Sequence, residues 1–394
     1  MSIVKAIKVS RSPIAALATV GTVWGTFAAM VPTMKAQIGV SDGLLGFALI
    51  SSAVGGMLSM YLAPKLVAKV GKYAMPVFAL IAITGMLLPP LVTNVVFIFP
   101  ALILMGFSVA LLDMSANIRI SLLEGRHRLH LMNVNHAMFS FAFAAAAVIA
   151  GSLKQAGWDY GDIVHVNVGL AVILMLLTIE GRDWSAEVED DDGHHAAASG
   201  LPWLAIGLTG LILFATFIGE NSVEAWSALF LERVMGGAPG EGSFGPFTLG
   251  IVMGVGRLGG QLIAEKAGEE RLVLWSGVLG ALGALGLATA QTWSMAVVSI
   301  AAIALGMAVI VPTANSILAK FVRPSLRGLA ISRAWMFGFT GFFVGPSLIG
   351  FVSEAFNLRI AFGFVAVLIS LIVPAVLILR ARLSQVPARV ATAK

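Results

Sequence analysis

The stretch "VVFIFPALILMGFSVALLDMSAN", residues 95–117, carries no charged side chain until Asp113. At about 1.5 Å per residue, a helix over this run spans about the 30 Å of a bilayer core. Asp113 sits near its end. A carboxylate there costs at least a few kcal/mol, in order of magnitude, unless it is protonated, paired or facing water. The run reads as a membrane-crossing helix that keeps an acid for a reason.

Working outward, blocks of the same kind recur along all 394 residues. Twelve candidate spans follow from them: 13–34, 43–63, 73–92, 95–118, 130–153, 163–180, 202–232, 246–265, 271–290, 293–318, 328–353 and 358–380. The chain is 58% hydrophobic and 11% charged, whereas soluble domains carry about 25% charged residues. A soluble protein with a large core is excluded. Lys5, Lys8 and Arg11 precede the first apolar block and resemble the start of a signal peptide. That block is long for one and lacks a small-x-small cleavage site, so it reads as a retained first helix. There is no cysteine, which excludes disulfides and thiol chemistry.

The net charge of +5 raises the question of a polyanion partner. The positions of the cations answer it. With both termini in the cytoplasm, the cytoplasmic connections take Lys65, Lys69, Lys72, Arg126, Arg128, Lys320, Arg323, Arg327, Arg380 and Arg382. The opposite side holds only Lys35, Lys154, Arg233 and Arg359. This is the positive-inside pattern of a multi-pass protein, and it needs no nucleic acid.

The most polar internal stretch, "GRDWSAEVEDDDGHHAAASG" (181–200), has the composition of a solvated linker. Its acids and His194–His195 fix no ligand spacing, so the linker reading outweighs a metal site. Around it the halves resemble each other at an offset of about 200 residues. "AKVGK" (68–72) matches "EKAGE" (265–269), and "GFSVALLDMSAN" from Gly106 matches "GMAVIVPTANS" from Gly306. "HAMFSF" from His136 matches "RAWMFGF" from Arg333. The expected fold is an all-α membrane protein with twelve transmembrane helices in two six-helix pseudo-symmetric bundles. These are 1–180 and 202–394, joined by a cytoplasmic linker, 181–201. Glycine pairs such as Gly250 and Gly254 read as helix-packing positions.

Asp113 and Asn117 are four apart and share one helix face. Asp113 is either a structural acid or a transport-pathway residue, and intramembrane carboxylates are by default the latter. Such a group can exchange a proton as water access alternates. His136, between Asn133 and Ser140, is either a structural hydrogen-bonding group or a partner in that exchange. Glu220 and Glu224 in "GENSVEAWSALF" share a face near a span end, where a solvated rim and a cavity wall are both open readings. Trp24, Trp226 and Trp335 suit either stacking on a substrate or an interfacial belt. Arg257 lies well within a span and either snorkels or pairs with a carboxylate. Asn315 answers Asn117 in the second half, and Arg333 answers His136. Paired amides suit hydroxyl-rich solutes. No GxxxxGK[ST] loop, triad or zinc motif is present, so no enzyme activity and no cofactor are expected.

The twelve spans, the repeat and the basic connections after spans two and eight resemble the major facilitator superfamily over nearly the whole chain. Its loop signature is degraded here. "LVAKVGK" has Ala68 where an acid is expected but retains Lys69 and Lys72, and "LIAEKAG" has Glu265 and Lys266. The resemblance assigns these four to conformational change. Within the superfamily, "LLDMSAN" looks like the fourth-helix motif of fucose-permease-like sugar–proton symporters and their uncharacterised bacterial relatives. That resemblance places proton coupling at Asp113. "ENSVEAWSALFL" resembles the seventh-helix pattern of those relatives. Fucose permeases carry a second acid in helix one, and "AALATVGTVWGTFAAMVP" has none, so substrate identity is not carried over.

The expected function is secondary active transport of a small polar solute, sugar- or polyol-like, across the bacterial inner membrane by proton coupling and alternating access. The expected partners are a small-molecule substrate, protons and the lipid bilayer, and the expected state is a monomer. The alternatives are a proton-driven exporter of an apolar or cationic compound and a non-transporting membrane sensor or scaffold.

Overall fold

Every regular element among the described residues is helical. The structure, a computed structural model, describes residues 3–181, 183–184, 201–323 and 326–383, with the side chains of 261–265 outside that set. Of the linker 181–201, only Gly181, Asp183, Trp184 and Leu201 are described, so His194 and His195 lie outside the described residues.

The helices are α1 (Ile3–Val9), α2 (Arg11–Ile38), α3 (Asp42–Val70), α4 (Ala74–Met86), α5 (Leu88–Leu91), α6 (Val95–His127), α7 (Met132–Gln155) and α8 (Tyr160–Leu177). They continue with α9 (Trp203–Leu229), α10 (Phe244–Ala267), α11 (Glu269–Ala288), α12 (Trp293–Met307), α13 (Ile310–Ala319), α14 (Arg327–Gly338), α15 (Thr340–Ala355), α16 (Leu358–Ser370) and α17 (Ile372–Leu383). Local chemistry sets their ends. Ser41, Asn94, Thr292 and Asn357 accept the orphan amides of Leu44, Val96, Met295 and Ile360 at the starts of α3, α6, α12 and α16. Gly39 closes α2 in the left-handed region, φ 71°. The breaks before α5, α13 and α17 each precede a proline within a few residues (Pro89, Pro312, Pro374), where the missing N–H interrupts the helical ladder.

Ten helical stretches among the described residues are long and apolar enough to cross a bilayer. One of them, Asp42–Leu91, has 50 residues, about twice what one crossing needs. It turns at Gly71, whose φ of 69° and ψ of −142° are costly for any other residue. Phe244–Ala267, which contains the eighth candidate span, is also a helix.

The chain divides into two compact units, Met1–Asp190 with Glu224–Leu258, and Asp191–Val223 with Gly259–Lys394. In the first unit, α3 packs on α6 and α2 on α7 more extensively than any other pair there. Glycine makes both approaches possible. Gly55 faces the Ile103 carbonyl, Gly106 faces the Ser52 carbonyl, and Gly25 faces the Phe143 carbonyl. In the second unit α11 is the hub, packed on α12, α16, α13 and α17. Lys320 at the end of α13 reaches Glu269 and Glu270 at the start of α11, each at 2.8 Å. Burial pulls the Lys320 ammonium down, but its bonds to the two carboxylates outweigh this and hold it above the ordinary lysine value.

Candidate transport site

Helix α6 enters the site with its cap at Asn94 and reaches Asp113 five turns later, with Asn117 one turn beyond. Asn117 Nδ2 donates to Asp113 Oδ2 at 3.2 Å and to the Asp113 carbonyl at 2.9 Å. Its amide oxygen lies 3.2 Å from His136 Nε2 on α7, so the imidazole tautomer with its proton on Nε2 donates there. Carboxylate, amide and imidazole therefore form one continuous polar chain across two helices. All three side chains are half-buried.

Arg257 completes the cluster from α10. Its Nη1 donates to Ser140 Oγ at 2.7 Å and to the His136 carbonyl at 3.3 Å, and its guanidinium lies 6.0 Å from the Phe139 ring centroid. Ser140 in turn donates to the His136 carbonyl at 3.0 Å. The approach of α10 depends on Gly250 and Gly254, where a methyl group would meet the Ser140 carbonyl and the Phe141 ring. The glycine pair thus delivers a cation to the backbone that carries His136.

Two residues past Asn117, Arg119 is 6% exposed. Its Nη2 lies 2.7 Å from Glu180 Oε2, its Nε donates to Oε1 at 3.3 Å, and its guanidinium stands 5.4 Å from the Trp184 ring. Sequence reasoning missed this clamp. The signal was a basic residue closing span four and an acid closing span six, but nothing local paired them.

In the second unit, Trp335 Nε1 on α14 donates to Asn315 Oδ1 on α13 at 3.2 Å. The Trp335 ring lies 5.5 Å from Phe217 on α9, which also meets Phe342 at 4.7 Å. Asn315, proposed from the repeat, and Trp335, proposed as a stacking or interfacial tryptophan, are thus brought together. Arg333, on the same helix, is exposed. Glu220 and Glu224 are half-buried on α9, and Trp226 is fully buried. Trp24 is half-buried on α2, with its ring edge-on to Phe27 at 5.8 Å. Asn133 is half-buried in the first turn of α7.

Comparison with known proteins identifies the family. The Major Facilitator Superfamily profile matches residues 14–291 and 260–393. The chain belongs to that superfamily. It is a membrane-embedded transporter of small molecules, not an enzyme. It is 27% identical over 346 residues to an uncharacterized MFS-type transporter of Yersinia pestis, covering 87% of this chain and 88% of that one. A D-xylose–proton symporter shares the fold with a TM-score of 0.71 and 16% identity, over 96% of this chain and 97% of that one. A point mutant of the nucleoside transporter NupG shares it with a TM-score of 0.70 and 15% identity, over 94% and 99%.

Of the charges in the superfamily's loop signature, Lys69 and Lys266 are exposed and Lys72 is half-buried against Tyr73. The side chain of Glu265 lies outside the described residues.

A denser ionic cluster stands elsewhere in the first unit. Asp42, the first residue of α3, accepts from Arg233 Nη1 at 2.9 Å and lies 3.2 Å from Lys35 Nζ. It is 6% exposed while Arg233 is 43% exposed, so solvent weakens the arginine's share. Asp42→Asn should lower stability by about 1–2 kcal/mol, a loss that shrinks at high salt. A thermal melt of the purified chain at low and high salt checks this, and a salt-independent melt identical to the native one refutes it.

Proposed function

We propose that this chain is a proton-coupled secondary transporter of a small polar organic solute, sugar- or polyol-like, in the bacterial inner membrane. The proposal takes it as twelve passes in two six-helix halves, 1–180 and 202–394, joined by a cytoplasmic linker, with both termini on that side. Within the superfamily its "LLDMSAN" motif groups it with the fucose-permease-like sugar–proton symporters. The observation that carries the proposal is the hydrogen-bonded chain from Asp113 through Asn117 to His136.

The chain's chemistry suits coupling. An ionised Asp113 accepts from the Asn117 NH2 group, which turns the amide oxygen towards His136. A proton on Asp113 Oδ2 makes that atom a donor and sets it against the Asn117 donor. When the amide turns to accept that proton, its bond to His136 is released. Arg257 meanwhile holds the backbone carbonyl of His136. Protonation is thereby converted into a change in the α6–α7 contact. Asn117 and Asn315 supply amides that can both donate to and accept from solute hydroxyls. The sugar–proton and nucleoside transporters that share the fold are consistent with such a cargo.

The alternative, proton-driven export of an apolar or cationic compound, draws on the aromatic group of Phe217, Trp335, Phe339 and Phe342. Reconstituted protein decides between the two. Under an imposed pH gradient, a panel of sugars, polyols, nucleosides and lipophilic cations is followed across the vesicle membrane. Accumulation of a hydroxyl-rich solute on the alkaline side supports the proposal. Extrusion of the cations alone supports export, and flux indifferent to the gradient rejects proton coupling.

Alternating access adds a prediction. The chain lacks cysteine, so Asn117→Cys and Asn315→Cys carry the only thiols. Both should react with a membrane-impermeant thiol reagent in inside-out vesicles, at rates that substrate changes. Absence of labelling at both sites in either vesicle orientation would place them in packed protein.

A further inference from the structure

Helix α3 divides into two faces. Gly55, Ser59, Ala63 and Val67 are buried, and α6 packs on that side. Val54, Leu58 and Tyr61 are 53%, 53% and 70% exposed, and the face they form continues through Lys65 and Lys69, both exposed. At 3.6 residues per turn the exposed row points about 140° away from the buried one. Lys72 follows in the short 3-10 turn Gly71–Tyr73. One outward stripe thus passes from apolar side chains at bilayer depth to tyrosine and then to lysine, the order of a membrane–water interface.

The lysines answer no acid among the described residues. Where the superfamily's loop signature expects a carboxylate, this chain has Ala68. Among the described residues none of Lys65, Lys69 and Lys72 pairs with a carboxylate. Their contacts are with rings instead: Lys65 Nζ lies 5.4 Å from the Tyr61 centroid and Lys72 Nζ 5.1 Å from that of Tyr73. A cation–π contact orients an ammonium without neutralising its charge.

We propose that this stripe is a docking surface for the phosphate headgroup of an anionic phospholipid, in the leaflet where α3 ends. The acyl chains lie along Val54, Leu58 and Tyr61. The phosphate and its neighbours meet Lys65, Lys69 and Lys72. Lysine clusters at the end of a membrane helix attract anionic lipid in this way. The surface lies on the element that turns at Gly71 into α4, so the bound lipid fixes the depth of that turn. This inference rests on the chain crossing a membrane and is independent of the coupling scheme at Asp113.

The full chain, purified in a neutral detergent, is titrated with phosphatidylglycerol and with phosphatidylcholine, and bound lipid is counted by native mass spectrometry. Phosphatidylglycerol should bind in preference, and added salt should weaken the preference. The ratio of the two affinities should fall about fivefold for each of Lys65→Gln, Lys69→Gln and Lys72→Gln, and Arg at the same positions should preserve it. Lys65 and Lys69 are exposed, so the changes at those two positions leave the helix packing intact. Equal binding of the two lipids by the native chain overturns the proposal. So does a triple Gln variant that keeps the native preference, or self-association of the chain that depends on these lysines.

Discussion

Asp113→Asn is expected to abolish solute accumulation driven by a pH gradient while sparing solute exchange at equal pH. Asparagine has nearly the shape of aspartate, and its side-chain oxygen still accepts from Asn117 Nδ2, so the α6–α7 contact survives in one state. What is lost, on the proposed scheme, is the group that binds and releases a proton. With one proton per solute, a gradient of one pH unit sustains accumulation up to about tenfold, since one unit is about 1.36 kcal/mol. The variant should bring that ratio to about one. His136→Gln should retain part of the coupling, because the imidazole acts through Asn117 rather than on Asp113 directly. Undiminished gradient-driven accumulation by Asp113→Asn would return the acid to a structural role.

The largest expected effect on the fold is at Gly106. A side chain there would drive its Cβ into the Ser52 carbonyl and adjoining backbone of α3. The same contact is made in reverse at Gly55, which faces the Ile103 carbonyl of α6. The obstacles are main-chain atoms of a helix, which cannot turn aside as a side-chain tip can. Overpacking in a core ordinarily costs about 1–3 kcal/mol, and separating two interlocked backbones should exceed that range. Gly106→Leu should therefore lower the melting temperature steeply or prevent accumulation of folded protein. It should also impair transport, because Asp113 lies only two turns further along the same helix. Gly169→Ala, where an added methyl meets nothing within 4 Å, serves as the matched change of small effect. Equal melts for both variants would show that the α3–α6 contact does not depend on glycine.

Much of this was legible in local sequence. Hydropathy is additive along a helix, so each apolar block marks a crossing from its own composition, and the cations between blocks mark the connections. The breaks ahead of Pro312 and Pro374 divide spans 293–318 and 358–380, which the apolar pattern alone reads as unbroken. Asp113 and Asn117 stood out because a four-residue spacing fixes a shared face.

Other features depend on distances that no window of sequence contains. Arg257 could snorkel or meet a carboxylate on local grounds. What its own segment does not contain is its bonds to Ser140 and the His136 carbonyl, which form because Gly250 and Gly254 let α10 close on α7. Arg119 finds Glu180 across 61 residues, and Arg233 finds Asp42 across 191. Trp226, for which stacking on a substrate and an interfacial belt were both open readings, is fully buried. Burying an aromatic and exposing it are equally compatible with a membrane helix until its neighbours are placed. Whether a polar group crosses the membrane is a property of its own segment. Which partner offsets its desolvation is a property of helices that meet only after the chain has packed.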